Sequence, residues 1–232
     1  MCGRYTLTKA AHLRLKLEEA GYHFDEFSHT RFAPRFNVAP TQRVPVILNE
    51  SPKKVSIAKW GLLPFWVKDE KIGASMINAR CESVATKPAF RSAFKKRRCL
   101  IPADGFYEWA KTTAGKIPNW FRMADERVFY FAGLWETWNN PSGEKVRTCS
   151  IVTTGPNELV APFHDRMPVI LPPEGETVWM DAQSSVEALE GLLRPFAAPL
   201  MNATVVSTEV NKAANDYPEL VAPLPPGGPN SA

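Results

Sequence analysis

Proline is the feature that most constrains what this chain can fold into, because it contributes 21 of the 232 residues. A proline fixes φ and removes an N–H donor, so it interrupts helices and central strands and favours turns. The sequence therefore predicts short elements rather than long helices. Its β-like runs outnumber its helical ones and are too closely spaced for regular βαβ alternation. We expect a single α+β domain, built on a mostly antiparallel, barrel-like β-sheet with flanking helices.

Local patterns predict three helices and a series of strands. One helix begins near Thr8 as N-cap and ends at Gly21, and the others cover Pro88 to Arg98 and roughly Ser185 to Phe196. The predicted strands are Val44–Leu48, Val55–Trp60, Asn119–Met123, Val128–Trp135, Val146–Thr153, Pro168–Leu171 and Ala203–Ser207. The domain is expected to occupy residues 1–221. Residues 222–232 are rich in proline and glycine, and we expect them to be a disordered tail.

Charge and cysteine content narrow the class of protein. The net charge is +4, which is compatible with a polyanionic partner but does not require one. There is no apolar run long enough to span a membrane, and the first residues lack the apolar stretch of a secretory signal. The four cysteines form no CxxC pair and have no histidine at zinc-ligand spacing, so we expect no metal, no cofactor and a cytoplasmic location. Cys81, Cys99 and Cys149 are expected to be small buried hydrophobic residues.

Cys2 becomes the first residue when Met1 is removed, as generally happens before a small second residue. It would then carry two nucleophiles, an α-amine with a reference pKa of ~7.7–8.0 and a thiol with one of ~8.5. Such a 1,2-aminothiol can condense with an aldehyde to a thiazolidine, or its thiol can attack an amide carbonyl with the amine as base. On position alone, a small residue at a frayed chain end is the better explanation of Cys2.

Three further polar positions are candidates for chemistry. Asn78 stands two residues before Arg80, so both would lie on one face of a strand. Glu108 lies between large aromatic residues, which would raise its pKa toward the range useful for proton transfer. His164 is in a proline-bounded loop with both charge signs beside it. Each also has a structural explanation: a turn residue, a partner of an arginine and a satisfied loop histidine, respectively.

Arginines and aromatic residues are interleaved along the chain, and the run Lys95 to Arg98 adds a cluster of basic charge. The run could be a solvated helix end. Arginines among tryptophans could equally form a groove that tracks phosphates and stacks unpaired bases. The sequence alone leaves both interpretations open.

Six motifs occur in an order that resembles one known family. They are Cys2-Gly3-Arg4, Asn37-Val38-Ala39-Pro40, Trp60-Gly61-Leu62, Ile77-Asn78-Ala79-Arg80, Ala103-Asp104-Gly105-Phe106-Tyr107-Glu108-Trp109 and His164-Asp165-Arg166-Met167-Pro168. With them the chain resembles the SRAP proteins, the SOS-response-associated peptidases or abasic-site processing proteins, from Cys2 to about Leu220. The resemblance implies binding of single-stranded DNA and a thiazolidine crosslink between the N-terminal cysteine and the ring-opened aldehyde of an abasic site. It also implies a monomer that acts in the DNA damage response.

The resemblance further implies roles for individual residues. Asn78 would hold Cys2 or the opened sugar, Glu108 would act as general acid and base, and His164 would assist ring opening and reversal. The residues that it implies as DNA contacts are Arg4, Pro40, Trp60, Phe65, Trp66, Arg80 and Arg166. Two other functions stay open: a thiol autopeptidase or hydrolase of the N-terminal-nucleophile type, with lyase activity as a further capacity, and a non-covalent binder of single strands.

Overall fold

The computed structural model describes residues 2–24, 28–29, 32–113 and 115–224. The strands are β1 (Tyr5–Leu7), β2 (His23–Phe24), β3 (Arg35–Val38), β4 (Arg43–Leu48), β5 (Lys54–Trp60), β6 (Asn78–Arg80), β7 (Arg98–Ala103), β8 (Gly105–Thr112), β9 (Gly115–Met123), β10 (Phe129–Asn139), β11 (Lys145–Thr154), β12 (Met167–Pro168), β13 (Ile170–Leu171) and β14 (Met201–Val205). The helices are α1 (Ala10–Glu19), α2 (Cys81–Val84), α3 (Arg91–Lys96), α4 (Pro173–Met180) and α5 (Val186–Gly191), and short 3-10 turns cover Glu70–Ser75, Ala198–Leu200, Thr208–Asn211 and Pro218–Val221.

Two sheets organise these elements. The larger has the order β12-β11-β10-β7-β4-β5-β2, and β5 also pairs with β11. Strands β11, β10, β7, β4 and β5 therefore form a closed ring, which confirms the predicted barrel-like α+β fold. The closing pair is parallel, with Cys149 opposite Trp60. The smaller sheet has the order β14-β9-β8-β1-β3 and carries the start of the chain.

A large apolar cluster joins the two sheets. Its fully buried members include Cys2, Trp60 and Phe106, which come from the chain start, the barrel and the smaller sheet, respectively. A second cluster packs the helices against the outside of the barrel. Cys99 and Cys149 are buried, as expected, whereas Cys81 is only partly buried at the start of α2.

The first helix is shorter than its sequence pattern predicts. Thr8 is not its N-cap, because the Thr8 hydroxyl donates to the Asp104 carboxylate at 2.8 Å and the helix begins after Lys9. Gly21 follows the end of α1 with φ of +78°, a left-handed conformation that favours glycine. A similar shortening affects the third predicted helix. Ser185 caps α5 by accepting from the backbone N–H of Ala188, but the helix ends well before residue 196.

The predicted helix from Pro88 to Arg98 is wrong at both ends, since only α3 is helical. Arg98 begins β7, and its guanidinium is buried where it donates to four backbone carbonyls. Two of them, of Phe94 and Lys95, are in α3, and the others belong to Trp179 in the last turn of α4 and to Asp181 directly after it. Arg98 therefore links the C-terminal ends of α3 and α4 through hydrogen bonds. Because its guanidinium is buried, its charge is not part of a basic surface.

The described part of the chain ends inside the predicted tail. Leu224, inside the predicted tail, donates its backbone N–H to the Val205 carbonyl at 3.3 Å. The first three residues of that tail are thus described next to β14, and 225–232 lie outside the described residues. Within the described ranges, no helix is long and apolar enough to cross a membrane, and no cluster of three metal-ligating side chains occurs.

Candidate active site

Pairing of β1 with β8 brings the start of the chain to the site. Tyr5 lies opposite Phe106, and the N–H of Tyr107 donates to the Arg4 carbonyl at 3.0 Å. Antiparallel pairing continued by two residues carries Cys2 past Glu108. The sheet itself therefore juxtaposes the predicted nucleophile and the predicted acid–base residue, which are 106 positions apart in sequence.

The Cys2 thiol is fully buried, with an exposed fraction of 0%. Its Sγ lies 4.0 Å from the Arg4 carbonyl, which can accept a weak hydrogen bond. Burial raises the pKa of the Cys2 thiol, and the negative charge of Glu108 raises it further. The thiol is therefore protonated in this arrangement, and a neighbouring group must accept its proton before sulfur can act as a nucleophile.

Asn78 contacts Cys2 directly. It begins β6, which pairs in parallel with β11 through Ile151, so its position is fixed by the barrel wall. Its Nδ2 donates to the Cys2 carbonyl at 2.8 Å. Its Oδ1 is buried and has no hydrogen-bond partner among the described residues. A buried carbonyl oxygen without a donor is costly, so this atom is an acceptor prepared for an N–H or O–H group.

Glu108 is 3% exposed, and burial raises the pKa of its carboxyl to about 7. Near neutral pH the protonated and ionised forms are both well populated. A group in this state can donate a proton in one step and accept one in the next, as a general acid–base catalyst requires.

His164 lies in the loop between β11 and β12, where side-chain and backbone hydrogen bonds fix its position. The buried Asn157 accepts from the Val160 N–H at 2.9 Å and donates to the Phe196 carbonyl at 2.8 Å. The Val160 carbonyl in turn accepts from the His164 N–H at 3.1 Å. This network makes the loop an ordered wall of the site.

Two groups face the same nitrogen of His164. The Arg166 N–H points at Nδ1 from 3.0 Å, whereas an Asp165 carboxylate oxygen lies 2.7 Å from it. The first contact requires an unprotonated Nδ1 and the second a protonated one. Burial lowers the pKa of His164, and Asp165 is exposed so that solvent screens its charge. The neutral ring that accepts from Arg166 and carries its proton on Nε2 is therefore favoured.

A cleft of about 920 Å³ opens beside Glu108 and His164. Its lining residues are Glu108, Trp109, Lys111, Lys116, Ala161, Pro162, Phe163, His164, Asp165 and Asn211. Phe163 also packs against the apolar cluster that contains Cys2. Glu108 and His164 thus line one opening to solvent, whereas Asn78 and the buried Cys2, which contact each other, are not part of that lining.

The arginines expected to contact DNA differ in whether protein groups already bind their guanidinium groups. Arg4 donates from Nη1 to the Asn37 side chain at 2.7 Å and to the Val210 carbonyl at 2.6 Å, so protein groups already occupy it. Arg166 makes a two-fold ion pair with Glu82 and also donates to the Thr153 carbonyl at 2.7 Å. Arg80, by contrast, is exposed at the end of β6.

The aromatic residues expected to stack on bases differ in how much of each side chain is exposed. Trp60 is 0% exposed, and its Nε1 donates to the Ile77 carbonyl at 2.9 Å, so it is a core residue that no base can reach here. Phe65 and Trp66 are 66% and 49% exposed, and their rings meet edge to face at 4.9 Å. Pro40 is partly exposed at the turn after β3.

Sequence reasoning assigned no role to Asn37, which organises the other side of the site. Its Nδ2 is within hydrogen-bond distance of the carbonyls of Val210, Lys212 and Asn215, at 3.1, 3.0 and 2.7 Å. These belong to residues 207–221, the C-terminal strap, which is further attached by an ion pair between Arg35 and Asp216. An asparagine between the apolar residues Phe36 and Val38 was the signal available in the sequence.

Comparison with known proteins gives one family. The model of the SRAP family, "SOS response associated peptidase", matches residues 1–213. The abasic site processing protein YoqW of Bacillus subtilis (strain 168) is 43% identical over 225 residues, which cover 95% of this chain and 99% of that protein. The abasic site processing protein HMCES of Gallus gallus is 31% identical, with 86% of this chain and 69% of that protein covered.

Solved structures agree with these sequence matches. A crystal structure of a protein from Bacteroides thetaiotaomicron superposes with a TM-score of 0.82 at 31% sequence identity. The superposition covers 90% of this chain and 93% of that protein.

Proposed function

The chain belongs to the SOS response associated peptidase (SRAP) family, and we propose that it processes abasic sites in single-stranded DNA by covalent capture. Relatives at 43% and 31% identity bear the name abasic site processing protein. The observation that carries the chemical proposal is the contact of Asn78 with the Cys2 carbonyl beside a buried carboxyl, Glu108, whose pKa is about 7.

The proposed reaction uses both nucleophiles of Cys2 after Met1 is removed. The α-amine attacks the C1′ aldehyde of the ring-opened sugar to form a carbinolamine, which loses water to give an imine. The imine is formed protonated, and the sulfur then adds to the same carbon as the thiol gives its proton to a base, which closes a five-membered thiazolidine. Aldehyde and aminothiol are thus converted to thiazolidine and one water molecule, with no oxidant or metal.

Glu108 is suited to both proton transfers in this sequence. In its protonated form it can donate to the carbinolamine oxygen as water leaves. The resulting carboxylate then lies close enough to the thiol to influence its pKa, and can accept the thiol proton as sulfur attacks. The raised thiol pKa makes such an internal base necessary.

Asn78 and His164 would position the reacting groups. Asn78 holds the Cys2 carbonyl through Nδ2, and its unpartnered Oδ1 can accept from the α-amine or from a sugar hydroxyl. His164, as a neutral ring with its proton on Nε2, can donate to the sugar oxygen that is released on ring opening.

For DNA contacts we propose the exposed residues rather than the full expected set. Phe65 and Trp66 offer an accessible stacking surface, Arg80 offers an accessible charge, and Pro40 lies at an exposed turn. Arg4 and Arg166 would instead shape the site through the protein groups that they bind.

Incubation with single-stranded DNA that bears one abasic site tests the proposal. We expect a DNA–protein band that survives denaturation, disappears in Cys2→Ala, and also disappears when the α-amine is blocked while the thiol remains free. A stable adduct with a blocked amine would exclude the thiazolidine. Peptide cleavage without an adduct would support the thiol peptidase, and a shift lost on denaturation would support a non-covalent binder.

A further inference from the structure

Two lysines lie side by side on one wall of the cleft, and the proposed reaction does not use them. Lys111 and Lys116 are directly opposite each other in the β8–β9 hairpin. Both are exposed, and both line the cleft together with Glu108 and His164. The Thr112 hydroxyl donates to the Gly115 carbonyl at 2.9 Å and closes the hairpin just beyond them. The pair is thus held at a fixed register.

No ion pair to this lysine pair occurs among the residues that the structure describes. Neither lysine forms an ion pair or a side-chain hydrogen bond with any residue in the described ranges. Like charges directly opposite on neighbouring strands destabilise a sheet by a few tenths of a kcal/mol. Two partly buried lysines of the chain do find partners: Lys59 pairs with Glu70, and Lys9 with Glu126. The uncompensated pair is what an external anion would neutralise.

The His164 loop, which also lines the cleft, carries a charge of the other sign. It carries the exposed carboxylate of Asp165 beside His164. An anionic ligand in the cleft is therefore attracted toward the hairpin and repelled from the His164 loop. Three residues along a strand span ~10 Å, so Lys111 lies about that far from Glu108. That separation is too long for the reacting sugar itself and suits a backbone group of a neighbouring nucleotide.

We propose that Lys111 and Lys116 form a phosphate clamp for the DNA backbone next to the lesion nucleotide. The clamp rests on the proposed function, because it assumes that the strand runs through this cleft. It fixes the direction in which the strand leaves the site, along the β8–β9 hairpin and away from Asp165. As positioning residues, the two lysines act on binding and not on the chemical step.

Salt dependence of non-covalent binding tests the clamp. Lesion-free single-stranded DNA is titrated by fluorescence anisotropy over a series of salt concentrations, so that no crosslink contributes. Each phosphate contact on a single strand contributes ~0.7 to the slope of log K against log salt. The double variant Lys111→Gln/Lys116→Gln should therefore lower the slope by about 1.4. Lys111→Arg/Lys116→Arg should preserve it.

The matched control is Lys95→Gln/Lys96→Gln, two exposed lysines on α3 that do not line the cleft. This control loses the same total charge. We expect a clearly smaller change in slope from it than from the hairpin variant. An unchanged slope in the hairpin variant, or an equal loss in both variants, would overturn the clamp and leave only the effect of net charge.

A second measurement locates the phosphate. Single neutral methylphosphonate linkages are placed one at a time on either side of an abasic site, and binding is measured with Cys2→Ser to prevent capture. One methylphosphonate linkage should weaken DNA binding by the parent protein but not by the hairpin variant, as a double-mutant cycle requires for a direct contact. Additive losses at every linkage would contradict the proposal.

These readouts separate the clamp from the proposed function. If the hairpin variant shows the predicted change in slope but the wild-type protein forms no denaturation-resistant adduct, covalent capture fails and the clamp stands. If the adduct forms at a normal rate while slope and linkage effects are absent, capture stands and the clamp fails.

Discussion

Glu108→Gln should make the protein more stable at alkaline pH while it slows covalent capture. Burial keeps the proton on Glu108 up to a pKa of about 7 in the folded protein, against an ordinary value of 4.5. Between those two pH values the folded chain holds a proton that the unfolded chain has lost. The free energy of unfolding therefore decreases as pH rises through this window, and it stays reduced above pH 7.

The size of this effect follows from the two pKa values. A tenfold change in proton affinity corresponds to about 1.4 kcal/mol. The interval from 4.5 to about 7 therefore corresponds to a destabilisation of about 3 kcal/mol above pH 7. Glutamine has nearly the same shape and no charge, so the variant is not destabilised by ionisation at this position. Its stability relative to wild type should rise by up to about 3 kcal/mol between pH 4.5 and pH 8.

Urea unfolding of both proteins at several pH values from 4.5 to 8 measures the difference directly. Other titrating groups, such as Glu176 with its pKa near 7, cancel in that difference because both proteins contain them. Glu158→Gln, an exposed site, is the matched control and should show little pH dependence. A Glu108→Gln difference that is constant from pH 4.5 to 8 would refute the reasoning, as would an unchanged rate of capture, which should fall at least about 100-fold.

The remaining predictions separate residues of the site from residues of the core. Asn78→Ala removes the donor to the Cys2 carbonyl, so single-turnover capture should slow more than DNA affinity falls; equal losses would make Asn78 purely structural. Asn37→Ala leaves several strap carbonyls without a donor and should cost about 2–4 kcal/mol in urea unfolding, whereas a neutral result would contradict its role. Trp60→Phe should lower the melting temperature without changing DNA affinity measured by anisotropy. Trp66→Ala should do the reverse, with about 1–3 kcal/mol of binding lost.

Strand positions could be read from local patterns, but closure of the barrel could not. Alternation and proline placement identify the runs that become β4 and β5. The parallel pairing of Trp60 with Cys149 joins segments about 90 residues apart, and no local pattern encodes that register. Helix ends were missed for a related reason. Arg98 leaves α3 because carbonyls of two helices converge on its guanidinium, which only the tertiary fold reveals.

In the candidate site, too, the sequence indicates which functional groups suit the chemistry but not which neighbours surround them. Cys2, Glu108 and Asn78 could be selected because their functional groups suit aldehyde condensation, and the family resemblance reinforced that choice. Whether a guanidinium or an indole faces DNA depends on neighbours that are distant in sequence. Arg4 donates to the Val210 carbonyl and Trp60 to the Ile77 carbonyl, contacts that neither residue type nor the family resemblance indicates.

The hydrogen bond from Arg4 to Val210 also determines when, during synthesis, the site can be completed. A ribosome releases the first residues of a chain long before the last ones, at about 5–20 residues per second. The hydrogen bonds from Arg4 and Asn37 to the C-terminal strap cannot exist until residues beyond 210 have emerged. During that interval of roughly 10–40 s the first strand lacks its final anchor and stays open to processing enzymes. Removal of Met1 therefore fits within synthesis, before Cys2 is enclosed.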